Sequence, residues 1–129
     1  MKPTIVHVHD LCEAKAKISE TKANAVGVQI MALKAVHRLV KFEGVDPKTA
    51  NIMKQEMLSR GGDVAVSEAV GRFEKEKTDI IIMGTLAQYI RLIKKLKKQA
   101  FDDKDCVKIA NELQLVLFKD FDIETACVW

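Results

Sequence analysis

The sequence predicts a single α/β domain, a sandwich of a small mixed sheet with packed helices and not a (β/α)₈ barrel. Three observations predict it. The chain has 129 residues, enough for one core but about half of the ~250 residues a barrel takes. Segments of strand character alternate with segments of helical periodicity, the pattern of layered α/β architecture. The apolar run DIIIMG (79–84) leads straight into LAQYIRLIKKLKKQ, a strand followed by an amphipathic helix.

The elements follow in chain order. TIVHVH (4–9) alternates apolar and polar residues and predicts a strand. Asp10 suits the N-cap of a helix through LCEAKAKISETK, where Leu11, Ala14 and Ile18 recur at helical spacing. Asn24 and Gly27 bracket a short connection into VGVQIMA, read as a second strand. Residues 33–43 carry both signals: Leu33, Val36 and Val40 suit a helix, whereas the β-branched and aromatic content before Gly44 favours a strand with a bulge. Asp46, Pro47 and Gly61 frame the next helix as N-cap, first helical residue and left-handed exit, with Ala50, Met53 and Met57 as its apolar stripe. DVAVS (63–67) predicts a short strand, and 68–78 a polar excursion. The run 79–84 predicts a strand buried on both faces. Leu86, Ile90, Ile93 and Leu96 point inward from the helix that follows, and DDKDCVKIANELQLVLFKDF forms the last one. The ending, about 119–129, reads as a loose tail on a domain of 1–129.

Composition narrows the function classes. The chain is 48% hydrophobic and 30% charged, with net charge +3, ordinary for a globular protein and below the charge of a dedicated nucleic-acid binder. Its cysteines, Cys12, Cys106 and Cys127, are odd in number and far apart. They form neither a zinc motif nor a disulfide framework, and no cofactor or metal is expected. His7 and His9 share a strand face without a third ligand spaced to join them. The N-terminus has no hydrophobic signal core, and no run approaches the ~20 apolar residues of a membrane span, so a cytoplasmic protein is expected.

Two places gather polar groups around glycine. Gly61-Gly62-Asp63 follows a helix that carries Asn51, Lys54, Gln55 and Glu56. The turn reads as a helix C-cap or as backbone brought close to a ligand or partner, with Asn51, Lys54 and Gln55 beside it. Gly84-Thr85 reads as a capped helix start or as a weak phosphate site, since there is no Gly-x-Gly-x-x-Gly and no P-loop. Glu56 and Asp63 would make a carboxylate pair only if folding joins them. Arg91, Lys94, Lys95, Lys97 and Lys98 coat one helix, a solvated face or a phosphate-binding patch.

The stretches ANIMKQEMLSRGGDVAVSEAV (50–70) and TDIIIMGTLAQYIRLIKKLKKQAF (78–101), with GVQIMALKAVHRLVKFEGVDPKTA upstream, resemble the domain that precedes the pterin-binding barrel in a subset of bacterial and archaeal dihydropteroate synthases. The resemblance spans about residues 27–118. It implies a place in folate or related pterin metabolism but brings no catalytic residue, because the barrel itself is missing. What carries over is membership of the motif: Asn51, Lys54, Gln55, Gly61, Gly62, Asp63, Gly84, Thr85 and Gln88. The expectation is a non-catalytic accessory or regulatory domain that docks on a pterin-binding barrel protein or on a second copy of itself. Two alternatives stay open: a binding protein or enzyme for a phosphorylated pterin-like metabolite at Gly84-Thr85, and, less favoured, a nucleic-acid-binding module.

Overall fold

A computed structural model describes residues 1–68, 76–98 and 103–121. Five helices and three strands lie in them: α1 (Leu11–Ser19), α2 (Ala25–Ala35), β1 (His37–Val45), α3 (Pro47–Leu58), β2 (Asp63–Ala65), β3 (Thr78–Thr85), α4 (Leu86–Lys98) and α5 (Lys104–Phe121). The strand order is β1-β3-β2, and both pairings are antiparallel. The small α/β sandwich is as expected, but the described strands contain no parallel pair. β3 is the central strand and runs antiparallel to both β1 and β2.

One face of the sheet carries the core. Val64, Ile80 and Ile82 point into it and meet Ala50, Met53 and Met57 of α3, Leu86, Tyr89, Leu92, Ile93 and Leu96 of α4, and Cys106, Ala110, Leu113 and Leu117 of α5. Burial on this scale is the main stabilising term for a domain of this size. A smaller cluster of Ala14, Ala32 and Val36 joins α1 and α2 to the rest. The strand over 79–84 is therefore not buried on both faces: Ile80, Ile82 and Gly84 are buried, whereas Ile81, Met83 and Thr85 are only half-buried.

Two predicted strands are not strands. Residues 4–9 form no regular element; alternation specifies a chain with one apolar side but supplies no hydrogen-bonding partner. VGVQIMA lies inside α2, where the Asn24 side chain accepts from Gly27 N–H at 2.7 Å as an N-cap. Val28 and Ala32, one turn apart, are buried by tertiary packing that overrides the β-branched propensity. Across 33–43 both signals hold in sequence: helix to Ala35, strand from His37. The expected bulge falls between Phe42 and Val45, with Gly44 at φ +65°. The strand expected over 63–67 is cut to Asp63–Ala65. Asp10 caps α1 through Glu13 N–H at 2.8 Å, while Asp46 precedes Pro47 without a side-chain capping bond. The excursion at 68–78 lies mostly, and the tail partly, outside the described residues.

Candidate functional site

The two glycine motifs meet at one corner of the molecule, around a methionine. The end of α3 is closed by a Schellman motif: Gly62 N–H donates to Met57 O at 3.0 Å and Gly61 N–H to Leu58 O at 3.1 Å, with Gly61 at φ +90°. The chain then enters β2, where Asp63 pairs in register with Met83 of β3. A Cβ on Gly62 would stand 2.7 Å from Met83 O and 2.9 Å from Met57 Cγ. A Cβ on Gly84 would stand 2.5 Å from Met57 Cε. The two glycines are thus the walls of a slot for the fully buried Met57 side chain.

Thr85 and Gln88 form a capping box. Thr85 N–H donates to Gln88 Oε1 at 2.8 Å, and Gln88 N–H to Thr85 Oγ1 at 3.3 Å. The amide nitrogen of the same Gln88 donates to Arg60 O at 3.1 Å, tying the end of α3 to the start of α4. This arrangement weighs against an anion site at Gly84-Thr85. Thr85 N–H is taken by Gln88 and Leu86 N–H by Val36 O, at 3.0 Å, so these donors of the helix start are already satisfied. Gln88→Ala is expected to cost about 1–2 kcal/mol, combining the lost cap and the lost bond to Arg60. Gln88→Glu keeps the reciprocal cap but not the amide donor. Urea denaturation should place it between Gln88→Ala and the parent; equal losses in both variants would deny the cap any separate contribution.

Lys54 and Asp63 make the next pair. Lys54 Nζ lies 3.1 Å from Asp63 Oδ1 and donates to Val64 O at 3.0 Å. Val64 N–H donates to Asp63 Oδ1 at 2.7 Å. That backbone bond first, and the Lys54 ammonium second, hold the Asp63 carboxyl below the usual range. The pair also occupies backbone of the edge strand β2, which limits unwanted strand addition. Glu56 turns to Arg60 at 2.9 Å, so Glu56 and Asp63 each face a cation of their own and form no carboxylate pair. Of the candidate residues, Lys54, Gly61, Gly62, Asp63, Gly84, Thr85 and Gln88 converge on this corner. Asn51 and Gln55 lie exposed on α3, and their side chains take no part in the corner's hydrogen bonds.

Two residues outside the candidates organise the fold beside the site. Tyr89 is fully buried, with its hydroxyl 2.8 Å from both Arg38 O and Ile82 O, and so bridges β1 and β3. Arg38 donates to Asp120 Oδ2 at 2.7 Å, to His37 O at 3.0 Å and to His9 O, and stacks 4.4 Å from the Phe121 ring centroid. Nothing in the local sequence marks either role, since Asp120 and Phe121 for Arg38, and Arg38 O for Tyr89, lie far away along the chain.

The outer face of the sheet is open. By register and alternation, His37, Leu39 and Lys41 of β1, Ile81, Met83 and Thr85 of β3, and Asp63 and Ala65 of β2 share it. Leu39 is 62% exposed. Two of the corner residues, Asp63 and Thr85, lie on this face. Among the described residues no three His, Cys, Asp or Glu side chains converge on a metal position, and no helix is long and apolar enough to cross a membrane.

No family model matches the chain, and no solved structure does. It is similar to a probable bifunctional folylpolyglutamate synthase/dihydropteroate synthase from Halobacterium salinarum, 34% identical over 94 residues. The match covers 73% of this chain and 11% of that relative. The chain therefore spans about a ninth of the protein it resembles.

Proposed function

We propose that this chain is a non-catalytic accessory domain of folate biosynthesis that works by docking on a pterin-binding barrel protein. The observation that carries the reading is the similarity to a short stretch of a far longer bifunctional folylpolyglutamate and dihydropteroate synthase. Seventy-three per cent of this chain enters that match, a longer span than a short motif would give. The geometry adds two supports. The polar residues of the glycine corner satisfy one another, a scaffold more than a reaction centre. The open sheet face presents Leu39, Ile81, Met83 and Ala65 with Lys41 and Asp63 at its flanks, an apolar centre with a polar rim.

The test is affinity purification of the tagged chain from its native host, with mass spectrometry of what accompanies it. A pterin-binding barrel protein should co-purify in near-stoichiometric amount. Leu39→Glu together with Met83→Glu should abolish that recovery while leaving the circular-dichroism spectrum intact, because both side chains point away from the core. Recovery of the barrel protein undiminished by these changes would move the interface elsewhere. Recovery of no such protein would overturn the docking role.

A further inference from the structure

The solvent face of α4 carries a run of positive charge. Arg91, Lys94, Lys95 and Lys98 fall at i, i+3, i+4 and i+7, one continuous stripe about 10 Å long. Arg91, Lys94 and Lys98 are exposed and Lys95 half-buried, and none of the four has an ion-pair partner among the described residues. Lys97, the fifth cation, donates to Gln114. The helix holds no Asp or Glu. The whole chain carries 21 Lys and Arg against 18 Asp and Glu, a net charge of +3; without the five cations of this helix the rest is slightly net acidic. Cations set side by side without counter-charge repel one another, and an anion with several charges relieves that repulsion.

The other features of α4 select among anions. Membrane insertion needs an apolar face, but Leu86, Tyr89, Ile90, Leu92, Ile93 and Leu96 are all buried in the core. Single-stranded nucleic acid needs aromatic platforms, and the one aromatic residue of this helix, Tyr89, is buried. What fits a bare, regularly spaced cation stripe is a flexible chain of carboxylates. We infer that the α4 stripe binds an oligo-γ-glutamyl chain, each carboxylate meeting one cation. The choice of a γ-glutamyl chain rests on the folate reading above, because the similar bifunctional protein is named as a folylpolyglutamate synthase. Arg91 would take a carboxylate bidentately and the lysines would act as point charges.

The test is fluorescence anisotropy of a labelled penta-γ-glutamate with the full chain at low salt, competed with free glutamate, an α-linked pentaglutamate and an RNA oligomer of equal charge. Penta-γ-glutamate should bind saturably and outcompete the other three. Its affinity should fall as salt screens the stripe. Arg91→Gln/Lys94→Gln/Lys98→Gln should weaken it about tenfold, three exposed charge pairs being lost together. Glutamine keeps the helix propensity, so this variant should fold. Absence of saturable binding, unchanged affinity in the variant, or tighter binding of either the RNA or the α-linked peptide would each overturn the inference. The outcome is separate from the purification test: a recovered barrel protein without γ-glutamyl binding removes only this inference, and binding without a recovered partner removes only the docking role.

Discussion

Gly62→Val should destabilise the domain by about 3 kcal/mol or more, the upper end of what overpacking costs. The reason lies in which atoms a side chain would strike. Even the first added carbon would sit 2.7 Å from Met83 O and 2.9 Å from Met57 Cγ. Met83 O belongs to the backbone of the central strand and cannot withdraw without distorting the sheet. Met57 is fully buried, so its stem has no empty space to enter. Gly84→Ala should cost less, because the atom closest to its Cβ is the flexible end of Met57, at 2.5 Å. Lys97→Ala, on the exposed side of α4, should stay within about 0.5 kcal/mol. A domain of this kind holds roughly 5–15 kcal/mol in total, so urea midpoints will separate the three. A Gly62→Val protein as stable as Lys97→Ala would mean that the Met57 slot is not tight. The slot is also why loss of partner binding in Gly62→Val would not by itself locate an interface; Leu39→Glu and Met83→Glu answer that question from outside the core.

The elements whose boundary residues act locally were legible in the sequence. Pro47 and Gly61 mark the two ends of α3 because each sets its own φ, independently of the rest of the fold. The apolar positions of α4 were legible because the helical period alone separates Leu86, Ile90, Ile93 and Leu96 from the lysines. Residues 25–35 were misread for the opposite reason. Their mean character is apolar nearly all round, which carries little periodicity, and the deciding signal was the single Asn24 side chain, which accepts from the Gly27 N–H. At the site, Thr85-x-x-Gln88 has the spacing of a capping box and could have been read as one. The Met57 slot could not, because Gly62 and Gly84 become its walls only after β2 pairs with β3.

Tyr89 is the second position where one atom decides much. Tyr89→Ala should cost about 4–5 kcal/mol: a large fully buried ring is lost, and the carbonyls of Arg38 and Ile82 lose their shared hydroxyl. Tyr89→Phe keeps the ring and isolates the polar part. It should cost about 1–3 kcal/mol, because two strand carbonyls, each 2.8 Å from the hydroxyl, lose that partner. The ionisation of this phenol gives a second, independent readout. Desolvation raises its pKa above the ordinary value of 10.0, with the Val40 backbone bond opposing. A raised folded pKa means that the folded state keeps the proton after the unfolded state has released it. The stabilisation is therefore complete below pH 10 and drains away as pH rises past it. Cys106 acts in the same direction: burial first, then Asp103, Asp105 and Glu56, push its thiol from 9.0 up to about 11. Both proteins share that contribution, so it cancels in the comparison of the parent with Tyr89→Phe. The stability gap between the two should stay constant from pH 7 to 9 and narrow above pH 10 in urea titrations. Parallel losses across the whole range would show that the phenol is exposed to water in the folded state, and that the bridge between β1 and β3 is not closed.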